Sequence, residues 1–166
     1  MCAAFAAIED LAEAHAPVSD FLALSGDVWP PNDASIKKYA LDADTLASYD
    51  GDGFLSHVRV LNDAQVKRLR KELAEIMDPS HPSHALWHEY NANEAGDDSG
   101  RHLFHSLGAW RIAPSFHDLL FHPGILVPAA QVLRRKAGLI LWHDQIFSKR
   151  AKDGAVVAWH QDRSYW

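Results

Sequence analysis

Ala155-Val156-Val157-Ala158-Trp159-His160-Gln161-Asp162 is an apolar run ending in a histidine and a carboxylate two residues apart. Its valines and alanines read as a strand, and on a strand side chains two apart share a face. His160 and Asp162 are therefore expected to converge, with Gln161 turned away. An imidazole beside a carboxylate supplies two legs of the two-His-one-carboxylate triad that holds non-haem Fe(II) and leaves positions open for a co-substrate and O2. The carboxylate also offsets part of the 2+ charge in a site that is otherwise mostly neutral. Taken alone, an H-x-D pair in a chain with 11 histidines has a plainer reading, a surface ion pair.

Upstream, Leu139 to Phe147 is strand-like, Lys149 to Gly154 reads as a loop, and Ala155 to Gln161 returns as a strand. Before these lie two short helices. One starts around Ser115 and Asp118, and His122-Pro123-Gly124 separates it from a second that runs from Ile125 to Arg135. A longer helix precedes them. Asn62 is an N-cap with Gln65 three residues on, the spacing of a capping box, and Leu61 and Val66 occupy staple positions. Val66, Leu69, Leu73, Ile76 and Met77 form its apolar stripe. Lys67, Arg68, Arg70, Lys71, Glu72 and Glu75 lie off that stripe and read as a solvated face, and Asp78-Pro79 ends the helix. Asp50-Gly51-Asp52-Gly53 reads as a turn, with a first strand at Val58-Arg59-Val60. Residues 79–108, polar and rich in His, Asn, Asp and Gly, read as a long surface excursion.

Asp144-Gln145-Ile146-Phe147-Ser148-Lys149, a short loop, and then Ala158-Trp159-His160-Gln161-Asp162-Arg163-Ser164-Tyr165-Trp166 resemble the phytanoyl-CoA dioxygenase family. That family carries a D-Q strand ending in Lys and then W-H-Q-D-x-x-Y-W. Asp52-Gly53-Phe54-Leu55 is similar to its opening D-G-F strand, the 66–73 segment to its first helix, and His122-Pro123-Gly124-Ile125-Leu126 to its H-P-x-I-L helix. The resemblance covers residues 46–166, in order. Arg150-Ala151 departs from it, since many relatives have Pro after the lysine.

The resemblance implies an α+β chain built on a partial double-stranded β-helix (jelly-roll, cupin-like), with N-terminal helices and the C-terminal strands missing. It implies an Fe(II)- and 2-oxoglutarate-dependent dioxygenase that hydroxylates a small organic or acyl substrate, with O2 as second co-substrate. His160 and Asp162 fall at the iron ligands. Gln145 falls where relatives contact 2-oxoglutarate, a barrel-interior hydrogen-bonding amide being the alternative. Asp162 argues against the family's halogenases, which replace that carboxylate with a small residue. The family's second His ligand and its 2-oxoglutarate-binding Arg lie several strands beyond H-x-D, so the chain reads as an N-terminal portion that is inactive by itself. A non-catalytic binding module that keeps a partial barrel is the reading from another class.

The remaining composition narrows the setting. With 166 residues, 48% of them hydrophobic and 23% charged, the chain suits one globular domain with a sizeable core. A net charge of −6 supplies no footprint for nucleic acid or an anionic membrane surface, and no apolar run is long enough to span a bilayer. Cys2 alone excludes an internal disulfide and any cysteine-built metal site. The first 36 residues lack Lys and Arg, which fits neither a secretory signal nor a mitochondrial transit peptide, so a cytoplasmic setting is expected. Residues 1–42 read as a leader with a short helix, packed outside a domain of residues 43–166.

Other histidines have weaker functional readings. His84 and His88 stand four apart beside Glu89, a distant echo of a zinc-hydrolase helix with the Glu misplaced. His102 and His105, with Arg101, have a reading as residues facing the substrate or an anionic co-substrate and a plainer one as solvated loop residues, and His117 and His122 read as capping or flanking helix ends that favour the imidazolium. Adjacent His143 and Asp144 face opposite ways on a strand, and Lys149 reads as a strand-end lysine or an aid to co-substrate binding. Trp87, Trp110, Trp142 and Trp159 read as core aromatics.

Overall fold

A computed structural model describes residues 16–94, 102–134, 138–152 and 159–162. Among the described residues, five α-helices and one sheet make an α+β arrangement. The helices are α1 (Asp33–Tyr39), α2 (Ala43–Asp52), α3 (Asp63–Ile76), α4 (Pro114–Leu119) and α5 (Pro123–Val132). The strands are β1 (Glu89–Asn91), β2 (Leu103–Leu107) and β3 (Gln145–Lys149), antiparallel in the order β1-β2-β3. Among the described residues, no helix is long and apolar enough to cross a membrane.

The capping box of α3 forms as the spacing predicts. Asn62 Oδ1 accepts the Gln65 backbone N–H at 2.9 Å, and Gln65 Oε1 accepts that of Asn62 at 3.1 Å. The apolar stripe of α3 turns inward. Ile76 is buried with Trp87, Ala109 and Ala113, and Leu73, Tyr90, Phe116 and Ile146 pack around them. This core joins α3 and α4 to one face of the sheet. The outer face is solvated at Lys67, Arg70, Lys71 and Glu75, but Glu72 departs from the expectation. Its carboxylate accepts the Ser115 backbone N–H at 2.9 Å and the Ser115 hydroxyl at 2.6 Å. That satisfies the open N-terminus of α4, which starts on Pro114 and has no cap of its own.

Several local expectations are corrected. Asp50–Asp52 close helix α2 rather than forming a free turn, and Gly53 ends it in the left-handed region at φ +77°, where a Cβ would be strained. Val58-Arg59-Val60 forms no strand. Three alternating residues do not make a strand without a neighbour to pair with, and the sheet's pairing partners lie elsewhere. The supposed surface excursion contains β1 and the central strand β2, whose Leu103, Phe104, His105 and Ser106 are all buried. The strand expected from Leu139 begins only at Gln145, because β2 is five residues long and its pairing ends at Leu107–Gln145. Trp87 is a core aromatic, whereas Trp110 is half-buried, Trp142 is 78% exposed and Trp159 is fully exposed.

Residues 16–42 pack into the helices. Phe21 is wholly buried and Leu22 nearly so, and burying a side chain of Phe21's size contributes about 1.5–3 kcal/mol. Buried Asp118 accepts the backbone N–H of Val18 at 2.6 Å and of Ser19 at 2.8 Å. Buried Asp27 collects Ser25, Ser35, Tyr39 and Lys38 around its two oxygens. Burial pushes the Asp27 carboxyl up, and the four hydrogen bonds outweigh it, so the group lies below the usual carboxylate range.

His122 caps a helix end as read, but the N-terminal end rather than one that favours the imidazolium. It is the N-cap of α5, and its Nδ1 accepts the Gly124 backbone N–H at 3.0 Å, a role that requires an unprotonated nitrogen. Burial drives it towards the neutral form, below the usual histidine range, against the opposing pull of nearby Asp27. Gly124 has no room for a side chain there, since a Cβ would stand 2.9 Å from the Tyr39 ring and 3.0 Å from that of His122.

Candidate metal and co-substrate site

The sheet has two unlike faces. Tyr90, Ser106 and Ile146, aligned by register, point at the helices with Phe104. The opposite face carries Asn91, Leu103, His105, Leu107, Gln145, Phe147 and Lys149. Its polar residues cluster. His105, only 7% exposed, has Nε2 2.7 Å from Gln145 Nε2 and Nδ1 2.8 Å from Glu94 Oε2. Its ring stacks on Phe147, with centroids 4.3 Å apart and an interplanar angle of 6°. His105 is thus no solvated loop residue. The short run Leu103-Phe104-His105-Ser106-Leu107 between Gly100 and Gly108, apolar at 103, 104 and 107, is the signal for a strand there.

Asp144 sets the start of β3. Its carboxylate accepts the backbone N–H of Gly108 at 2.8 Å and of Trp110 at 2.9 Å. These bonds cap the 3-10 turn Ala109–Arg111 and tie the end of β2 to the residue before Gln145. Gly108, at φ +103°, passes so close to His88 that a Cβ would stand 3.1 Å from the His88 backbone nitrogen. The adjacent Asp144-Gln145 pair therefore has two tasks: the first residue anchors the strand and the second projects from its open face.

His160 Nε2 and Asp162 Oδ1 lie 3.3 Å apart, with the side chains 47% and 76% exposed. They converge as predicted, but not through strand alternation, since Trp159–Asp162 has no strand geometry. Residues 155–158, the body of the expected strand, lie outside the described residues. Two donors about 2.1 Å from one ion at right angles stand about 3 Å apart, so this spacing suits a shared cation as well as an ion pair. Among the described residues, no group of three His, Cys, Asp or Glu is placed to hold a metal. The donor set present thus fits two of the three protein ligands of a facial triad.

His84 and His88 make no helical pair. His84 opens a one-turn 3-10 helix and packs edge-on against Tyr90, while the His88 ring lies 3.1 Å from the Arg111 guanidinium. His117 lies in the last turn of α4, with Nδ1 3.0 Å from Asp118 Oδ1. Lys149 ends β3 on the open face and is exposed.

A family model for phytanoyl-CoA dioxygenase (PhyH) matches residues 49–166. The chain belongs to the phytanoyl-CoA dioxygenase family. No curated protein matches the chain. The family is one of Fe(II)- and 2-oxoglutarate-dependent oxygenases with a cupin-like fold. The matched span opens inside α2, so the docked residues 16–42 stand outside it. His105, Gln145, His160 and Asp162 all stand within it.

Proposed function

We propose that this phytanoyl-CoA dioxygenase family chain carries the iron-binding and part of the co-substrate-binding machinery of a hydroxylase acting on a small organic or acyl substrate. The convergence of His160 and Asp162 at 3.3 Å, inside the family match, carries this reading. Fe(II), bound with 2-oxoglutarate and O2, supplies the oxidising power to hydroxylate a substrate C–H bond. His160 offers a neutral nitrogen donor and Asp162 an anionic oxygen that lowers the net charge of the site. Gln145 presents its amide from the open face of the sheet, the face that becomes the barrel interior if the three strands begin a double-stranded β-helix. Reduced iron and a single cysteine suit a cytoplasmic setting.

Among the described residues no third His, Cys, Asp or Glu joins His160 and Asp162, and on that ground the chain by itself is proposed not to turn over. Succinate release from 2-oxoglutarate, assayed anaerobically and then with O2, tests this. Robust release that His160→Ala abolishes would overturn the proposed inactivity. A second reading, a binding module without catalysis, is favoured by the exposure of both ligands and of Trp142. It predicts no Fe(II) uptake that depends on His160.

A further inference from the structure

We propose that Glu94, His105 and Gln145 form a relay in which His105 is a positioning residue, holding the Gln145 amide in one orientation for a carboxylate ligand. The ligand half of this proposal rests on the co-substrate reading of Gln145.

The direction of the relay follows from its two short contacts. The Gln145 amide nitrogen, 2.7 Å from Nε2 of His105, can only donate, so its contact makes Nε2 the acceptor and leaves the proton of the neutral ring on Nδ1. The Glu94 carboxylate oxygen, 2.8 Å from Nδ1 without hydrogen-bond alignment, favours a proton there by its charge. That tautomer keeps the nitrogen end of the amide facing the ring. The ring cannot turn to release it, because it lies flat on Phe147 and is buried on the central strand. The second amide N–H and the carbonyl oxygen of Gln145 are left on the edge away from His105, where the N–H is available to a carboxylate oxygen.

Backbone pairing supports the same end. Leu107 of β2 pairs with Gln145 and His105 pairs with Phe147, so these four side chains stand on one face in fixed register. Glu94 is itself held close, since its backbone N–H bonds to the Leu103 carbonyl at 2.8 Å. Without His105 the Gln145 amide would be free to rotate and flip, and a ligand would have to order it on binding.

The test is nuclear magnetic resonance of the 15N-labelled chain, joined to titration with 2-oxoglutarate in the presence of Fe(II) under argon. Long-range 15N–1H correlations should show neutral His105 in the Nδ1–H form, moving towards the Nε2–H form in Glu94→Gln. His105→Leu should weaken 2-oxoglutarate binding about tenfold, the loss of one oriented hydrogen bond. Glu94→Gln should weaken it in the same direction without emptying the buried ring site, which covers the case of a His105→Leu chain that fails to fold. An Nε2–H ring in the wild type, or wild-type affinity in both variants, would overturn the relay. If the wild type shows the Nδ1–H ring but takes no 2-oxoglutarate, the co-substrate reading fails, and His105's ligand-orienting role fails with it.

Discussion

The carboxylate of Asp144 receives the backbone N–H of Gly108 at 2.8 Å, joining the residue before β3 to the residue after β2. A second bond from Trp110 at 2.9 Å makes this carboxylate the cap of the turn between the sheet and α4. The position of Gln145 depends on it directly.

Replacing Asp144 by Ala leaves two half-buried backbone donors without an acceptor. The expected loss is about 1–3 kcal/mol, read as a lower urea midpoint. Asp144→Asn keeps one oxygen and should lose less. Equal stability of Asp144→Ala and wild type would show that the turn holds itself.

Glu72 anchors α4 to α3 through Ser115. Glu72→Ala should cost about 1–2 kcal/mol, the scale of a lost N-cap. The neighbouring surface change Lys71→Ala should lie within about 0.5 kcal/mol of wild type. Parallel urea titrations of the two variants check the contrast. Indistinguishable midpoints would return Glu72 to the solvated face.

Acid should weaken the fold in two stages. Burial keeps His122 neutral, so its folded-state value lies below the ordinary 6.5. As pH falls below about 6.5 the unfolded chain takes up this proton first, and stability declines until the folded protein takes it up too. Asp27 is depressed below 3.8 by its hydrogen bonds, so its contribution is complete above that pH and is lost as pH falls through its folded value. His122→Asn keeps an N-cap side chain and removes the titration. The slope of the urea midpoint between pH 5 and 7 should therefore flatten in that variant, whatever its absolute stability. An unchanged slope would place the titrating group elsewhere.

Legibility in the sequence followed how local each cause is. The Asn62–Gln65 box of α3 is written within four residues and forms as read. The H-x-D pair is also local, and its side chains meet even though the backbone around them is irregular. Strand β2 was harder to see, because His105 and Ser106 are polar by type and buried only through tertiary partners, Glu94, Gln145 and Phe147 among them. Glu72 is illegible for a related reason: a charged residue off an apolar stripe is usually solvated, and only the arrival of Ser115 from 43 residues away makes it a cap. The docking of residues 16–42 rests on Asp118, about 100 residues distant from Val18, and no spacing rule reaches that far.

His160 and Asp162 are proposed to share one Fe(II). Anaerobic equilibrium dialysis of Fe(II) against the wild-type chain, His160→Ala and Asp162→Ala, with 2-oxoglutarate present, tests it most directly. Both side chains are largely solvent-facing, so the variants should keep the wild-type circular dichroism and urea midpoint. The wild-type chain should take up one loosely held Fe(II), with uptake weakened at least about tenfold by either change. No uptake by the wild type, or wild-type uptake in both variants, would contradict it.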